Sequence, residues 1–97
     1  MTVENMTSPR SGRPVAQQYL ISGDGKLIFQ SYASTIAEID YGKKTISIGS
    51  DWDYSMTTGK YRNQFFADNG FRGLSTKQGL EKAMAEGRYE NFVVTRL

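Results

Sequence analysis

Asp24-Gly25, set between two runs of apolar and β-branched residues, is the feature that most limits what this chain can become. Asp-Gly tolerates the positive φ angles of a two-residue turn whose twist matches that of paired strands. The flanking runs are therefore predicted to form an antiparallel hairpin. The first run is Val15 to Ile21, and the second is Lys26 to Tyr32 with Leu27, Ile28 and Phe29. A third segment alternates Ile36, Glu38 and Asp40 with Thr35, Ala37 and Ile39, the period-two pattern of a sheet covered on one face. Tyr41-Gly42-Lys43-Lys44 supplies the next turn, and Thr45 to Ile48 a fourth strand. Short turns between sequence neighbours favour an antiparallel meander.

Beyond residue 50 the period changes. Tyr54, Thr58, Tyr61 and Phe65 recur at helical spacing, with Ser55 or Thr57 as a candidate N-cap and Asn69-Gly70 as a stop. Gly59 costs about 1 kcal/mol against alanine in a helix interior, which suggests a helix starting just after it. Ser75-Thr76-Lys77-Gln78 reads as a capping box ahead of the stripe Leu80, Ala83, Met84, and Gly87 ends that second helix. Phe92, Val93, Val94 and Thr95 form a closing strand within Asn91 to Leu97. The predicted fold is α+β: an antiparallel sheet of four to five strands with two helices packed on one face. Residues 1–13 hold few apolar side chains and read as a disordered N-terminal leader, leaving residues 14–97 as a single domain.

Composition narrows the chemistry. The 97 residues contain no cysteine and no histidine, which removes thiolate chemistry, disulfides, the commonest general base and the commonest transition-metal ligand. Ser31, Ser34 and Ser55 thus have no histidine to activate them. Asp51 with Asp53, and Glu38 with Asp40, are spaced like metal-binding pairs but read as solvated turn or edge charges, and Gly23-Asp24-Gly25-Lys26 lacks the spacing of a phosphate loop. No enzyme, no cofactor and no metal are expected. No apolar run reaches the roughly 20 residues of a membrane span, and Met1 to Arg13 lacks a signal-peptide core, so the expected compartment is the cytoplasm. Asn5-Met6-Thr7 fits a glycosylation sequon by coincidence in that compartment.

The stretch Trp52 to Phe66 crowds five large aromatics, two cations, two amides and several hydroxyls together, as a surface that grips a polar partner does. Between residues 60 and 77, four cations (Lys60, Arg62, Arg72, Lys77) face one acid, Asp68, while the whole chain carries a net charge of only +2. The expected binding surface comprises Tyr54, Thr57, Thr58, Lys60, Tyr61, Arg62, Asn63 and Gln64. Asn, Gln and Arg read base edges, Thr and Lys suit phosphate oxygens, and Tyr54 or Tyr61 would stack or anchor. The competing reading is an ordinary surface helix, with Trp52 and Phe65 in the core of a domain short of aliphatics.

Phe29-Gln30-Ser31-Tyr32, Ile36-Ala37, Trp52-Asp53-Tyr54-Ser55 and Thr57-Thr58-Gly59-Lys60-Tyr61-Arg62-Asn63-Gln64-Phe65 together resemble a set of small proteins from phages and plasmids of Gram-positive bacteria. The likeness covers most of residues 11–97. It departs at Gly59, where serine is usual, and at Phe66, where leucine is usual. These proteins share no established biochemical function, so the resemblance implies a mobile-element accessory protein and supplies no catalytic residue or ligand. The expected function is binding, to nucleic acid or to a host protein that handles nucleic acid. The alternative is a protein-directed inhibitor of a host defence system, of anti-CRISPR or other anti-defence type, or of a host enzyme. A monomer or a homodimer would suit either.

Overall fold

A computed structural model describes residues 1–97. The Asp-Gly signal acts as expected: β2 (Pro14–Gly23) and β3 (Lys26–Ser31) are joined by Asp24 and Gly25 at φ 55° and 73°, the left-handed values that this turn needs. β4 (Ser34–Asp40) and β5 (Thr45–Ile48) continue the meander in antiparallel pairing. The Asp40 carboxylate accepts from Lys43 N at 2.9 Å and shapes the turn between them.

Three features correct the expected architecture. The sheet has seven strands, not four to five, in the order β1-β2-β3-β4-β5-β7-β6. Residues 1–13 are not a disordered leader: β1 (Thr2–Thr7) pairs antiparallel with β2, and residues 8–13 close that hairpin. An edge strand needs only one paired side and little apolar content, which here is Met6 turned inward and Val3 on the opposite face. The sheet is also not wholly antiparallel. β7 (Phe92–Arg96) runs parallel to β5, a pairing that requires the long crossover through both helices. β6 (Arg88–Tyr89) is a two-residue outer strand on β7.

Helix α1 (Met56–Asp68) passes through Gly59 rather than starting after it, and its N-cap is Ser55. Helix α2 (Lys77–Glu86) is capped by Thr76, whose hydroxyl accepts from Gly79 N, one residue later than the expected box. Ser75 instead donates to Arg72 O in the short 3₁₀ turn Arg72–Leu74. Gly87 ends α2 at φ 71°, a left-handed C-cap.

Register sorts the two sheet faces. Phe29, Ala37 and Ile48 align across β3–β5, as do Leu27, Ile39, Ile46 and Val94 across β3–β5 and β7. That face forms one core with Tyr61, Phe65 and Phe66 of α1 and with Leu80 and Ala83 of α2, so both helices cover it. Phe65 stacks on Phe29 with centroids 5.9 Å apart, and Phe71 meets Phe92 edge-on at 5.2 Å. Ile36 and Ala37 are adjacent yet both buried, because Ile36 is the extra residue where the β3–β4 register shifts. Gly49 follows β5 so closely against β4 that a Cβ there would strike the Thr35 carbonyl. The opposite face carries no helix. No helix is long and apolar enough to cross a membrane.

Candidate functional site

The polar side chains of α1 are spent mostly inside the fold. Thr58 is fully buried, and its hydroxyl lies 2.9 Å from that of Ser31 on β3 and 3.2 Å from that of Ser55. Tyr61 is buried in the core, with the Lys60 ammonium 5.4 Å from its ring centroid. Arg62, only 2% exposed, is the largest departure from expectation. Its guanidinium donates to Trp52 O at 2.7 Å and to Asn63 Oδ1 at 3.0 and 3.3 Å, and stands 5.3 Å from the Trp52 ring. It reaches Asp53 Oδ1 at 3.5 Å, while the other Asp53 oxygen takes Lys77 at 2.7 Å. Gln64 Nε2 donates to Thr7 O and ties α1 to β1.

Arg62, Asn63 and Gln64 therefore do not project into water as base-reading tips. Arg62 fastens α1 to Trp52 and Asp53 with Asn63 Oδ1 accepting from its fork, and Gln64 fastens α1 to the edge strand, since a buried fork must meet acceptors within the fold. The titration of this cluster follows. Lys77, by its hydrogen bond and then its charge, holds the Asp53 carboxyl below the usual range, with Arg62 adding to the effect. Asp53 in turn raises Lys77. Burial lowers Arg62, against the pull of Asp53. Asp51 and Asp53 part company: Asp51 accepts from Ser34 at 2.7 Å.

Four of the eight expected residues remain near solvent or a cavity. Tyr54 is 69% exposed, and Thr57 and Lys60 lie exposed on α1. Thr58, though buried, reaches the floor of a cavity of about 220 Å³. Ser31 shares that floor, Ser34 and Asp51 supply polar walls, and Tyr32, Ala33, Ile36 and Tyr54 supply the rest.

Tyr32 and Ala33 also line a second concavity of about 560 Å³ on the helix-free face. Cross-strand pairing explains its composition. Val3 faces Ile21 and Ile21 faces Ile28, while Asn5 faces Tyr19 and Tyr19 faces Gln30, so side chains of β1–β3 make an aromatic, aliphatic and amide surface. Gln17 and Tyr32 close its end. Both have left-handed backbones, φ 66° and 55°, and Tyr32 N donates to Gln17 O at 2.7 Å. Gln30 Nε2 donates to Tyr32 O at 2.8 Å. A left-handed tyrosine is an uncommon conformation held by its surroundings, and such strain collects at working surfaces. Tyr32 is 48% exposed there.

Three tyrosines, Tyr19, Tyr32 and Tyr54, thus line two adjoining hollows around the β3–β4 turn. Of these only Tyr54 belongs to the surface expected from the sequence. The missing signal lay in β2, where Tyr19 and Ile21 alternate with the buried side of Gln18 and Leu20, marking a strand apolar on both faces. Arg10 and Arg13 are exposed in the hairpin loop at the Gln17 end of β2.

No curated protein matches the chain, and no solved structure does. One protein family matches it over residues 1–82, the segment carrying β1–β5, α1 and the first half of α2. By that match the chain belongs to the family of unknown function DUF8033.

Proposed function

We propose that this is a non-catalytic accessory protein of phages or other mobile elements that binds single-stranded nucleic acid in the host cytoplasm, on the tyrosine-lined face of its sheet. The observation that carries this reading is the helix-free surface of β1–β3, where Tyr19 and Tyr32 stand among Gln17, Gln30 and aliphatic side chains in a concavity of about 560 Å³. An antiparallel sheet with one face anchored by helices and aromatics on the other offers flat rings to unpaired bases, and amides to their edges. Arg10 and Arg13 are exposed at the Gln17 end for phosphate contact, and Thr57 and Lys60 are exposed on α1 close in sequence to Tyr54. The expected site thereby moves from the outer face of α1 to the sheet, and keeps Tyr54, Thr57, Thr58 and Lys60 at its margin.

The test is fluorescence anisotropy with a labelled single-stranded oligonucleotide at about 50 mM salt, alongside a duplex of the same sequence. Stacking is worth about 1–3 kcal/mol per base, so Tyr19→Ala plus Tyr32→Ala is expected to weaken single-strand binding by tenfold or more. Arg10→Glu plus Arg13→Glu is expected to flatten the salt slope. If neither DNA nor RNA single strands bind, or if the double tyrosine variant binds as well as the parent, the proposal fails.

A further inference from the structure

We infer that the small cavity between the β3–β4 turn and Tyr54 is a guanine-selective pocket, seating one splayed base of the strand. This rests on the single-strand reading above for its biological ligand, but the pocket chemistry stands on its own residues. At about 220 Å³ the cavity is below the roughly 300–1,000 Å³ of drug-sized sites and suits one heterocycle. Its walls divide by chemistry. Tyr32, Tyr54, Ala33 and Ile36 offer apolar and aromatic area to a ring, whereas Asp51, Ser34 and the Ser31–Thr58 hydroxyl pair are polar.

Asp51 decides which ring. Its Oδ2 is taken by Ser34 Oγ at 2.7 Å, and no side chain or amide of the fold donates to Oδ1. A carboxylate accepts and does not donate, so the complementary edge must present N–H groups without a neighbouring acceptor. Guanine presents two adjacent donors, its ring N1–H and the exocyclic amine. Adenine and cytosine set a ring acceptor beside their amine. Uracil and thymine flank their single N–H with two carbonyls. Adenine, uracil and thymine thereby place a lone pair against the carboxylate, which costs more than a missing contact, while cytosine offers one amine hydrogen on its C5 side, one contact fewer than guanine. Thr58 accepts from Ser55 and can donate to Ser31, which leaves the Ser31 hydrogen on the floor free to turn toward the guanine carbonyl.

Tyr32 and Ala33 line both this pocket and the larger concavity. A strand lying on the sheet face can thus turn one base over the β3–β4 turn into the pocket while its neighbours stack on Tyr19 and Tyr32. The surface would then read one position of an otherwise sequence-tolerant strand.

The experiment uses guanosine and uridine 5′-monophosphates as separate probes, titrated into the full ¹⁵N-labelled chain. Guanosine monophosphate is expected to shift amides of residues 31–34 and 54–58, and to bind at least fivefold tighter than uridine monophosphate. Asp51→Asn, which keeps shape but adds a donor, is expected to abolish that preference. Tyr54→Ala alters an exposed side chain and leaves the core untouched, and is expected to weaken both probes. Equal affinity for the two nucleotides, shifts confined to other residues, or an undiminished preference in Asp51→Asn would each overturn the inference. Guanosine monophosphate seated in the pocket of a protein that retains no oligonucleotide would uphold the pocket and overturn only strand binding. An oligothymidine bound as tightly as a guanine-containing strand would overturn the pocket and leave strand binding intact.

Discussion

Removing the Arg62 guanidinium should cost this domain a large share of its stability. The group is interior and makes four hydrogen bonds, one to Trp52 O at 2.7 Å, two to Asn63 Oδ1 at 3.0 and 3.3 Å and a long one to Asp53 Oδ1. It also meets Asp53 at 3.5 Å and the face of Trp52 at 5.3 Å. Bonds from a charged donor are worth about 1.5–3 kcal/mol each before the cost of burying the charge is deducted. That deduction is several kcal/mol, so the contacts cannot simply be summed. Arg62→Met keeps most of the stem and loses the fork, leaving the Trp52 carbonyl and the Asn63 amide without their partner. The expected net loss is about 2 kcal/mol. Arg62→Ala also removes the packed stem, and about 3–5 kcal/mol is expected. Arg62→Lys should resemble the methionine variant, because an ammonium cannot reproduce the planar fork. A chain of this size is stable by roughly 5–15 kcal/mol. Urea unfolding followed by circular dichroism and by the single tryptophan, Trp52, reads the effect. At an m-value of about 1–1.5 kcal/mol/M, Arg62→Ala should lower the midpoint by roughly 2 M or more. If Arg62→Met unfolds within about 0.5 kcal/mol of the parent, the guanidinium contributes nothing net and the structural reading of this segment is refuted.

Two glycine substitutions should act in opposite directions. In Gly59→Ala the new Cβ sits 3.6–3.9 Å from the Arg62 guanidinium, an ordinary contact, and the helix gains propensity. The melting temperature should rise by roughly 2–6 °C, for about 0.5–1 kcal/mol. Gly49→Ala drives a Cβ into the Thr35 carbonyl and should destabilise by more than about 2 kcal/mol, read in the same thermal scan. Thr58→Val keeps shape but strips the hydroxyl bonded to Ser31 and Ser55, leaving a buried Ser31 hydroxyl unpaired; a loss of about 1–3 kcal/mol in urea unfolding is expected. Asp53 is held low by Lys77 first and Arg62 second, and a depressed carboxyl stabilises above its unfolded pKa and loses that contribution as pH falls through the folded one. Asp53→Asn should therefore melt below the parent at pH 7, the gap closing as pH falls below the ordinary carboxylate range.

How far the fold was legible depended on how local its causes are. Asp24-Gly25 and the alternation from Thr35 to Asp40 state their structure within a few residues, and β2–β5 follow. The start of α1 was blurred by Gly59, yet Ser55 caps the helix upstream of it. β1 carries little apolar signal because its support is distant: pairing with β2, and Gln64 bonding to Thr7 O. The parallel alignment of β5 with β7 is set by how the two helices pack between them, which no short window of sequence contains.

The site was harder. A cation on an amphipathic helix reads as solvated, which sets the expectation that Arg62 lies outside. Thr58, Arg62, Phe65 and Phe66 in fact follow i, i+4, i+7 and i+8, so Arg62 stands in the middle of the buried stripe. Tyr19 and Tyr32 stand out in the sequence only as strand residues, with no face assigned to them. Their exposure depends on the helices covering the other side of the sheet, which only the assembled fold reveals.

Mapping a short single-stranded oligonucleotide onto the ¹⁵N-labelled chain by NMR tests the binding account most directly. The predicted result is a contiguous set of shifted amides at residues 17–21, 28–34 and 54–58, which vanishes when Tyr19 and Tyr32 are both alanine. Shifts confined to α2, or to the outer face of α1 away from Tyr54, or no shifts at all, would contradict it.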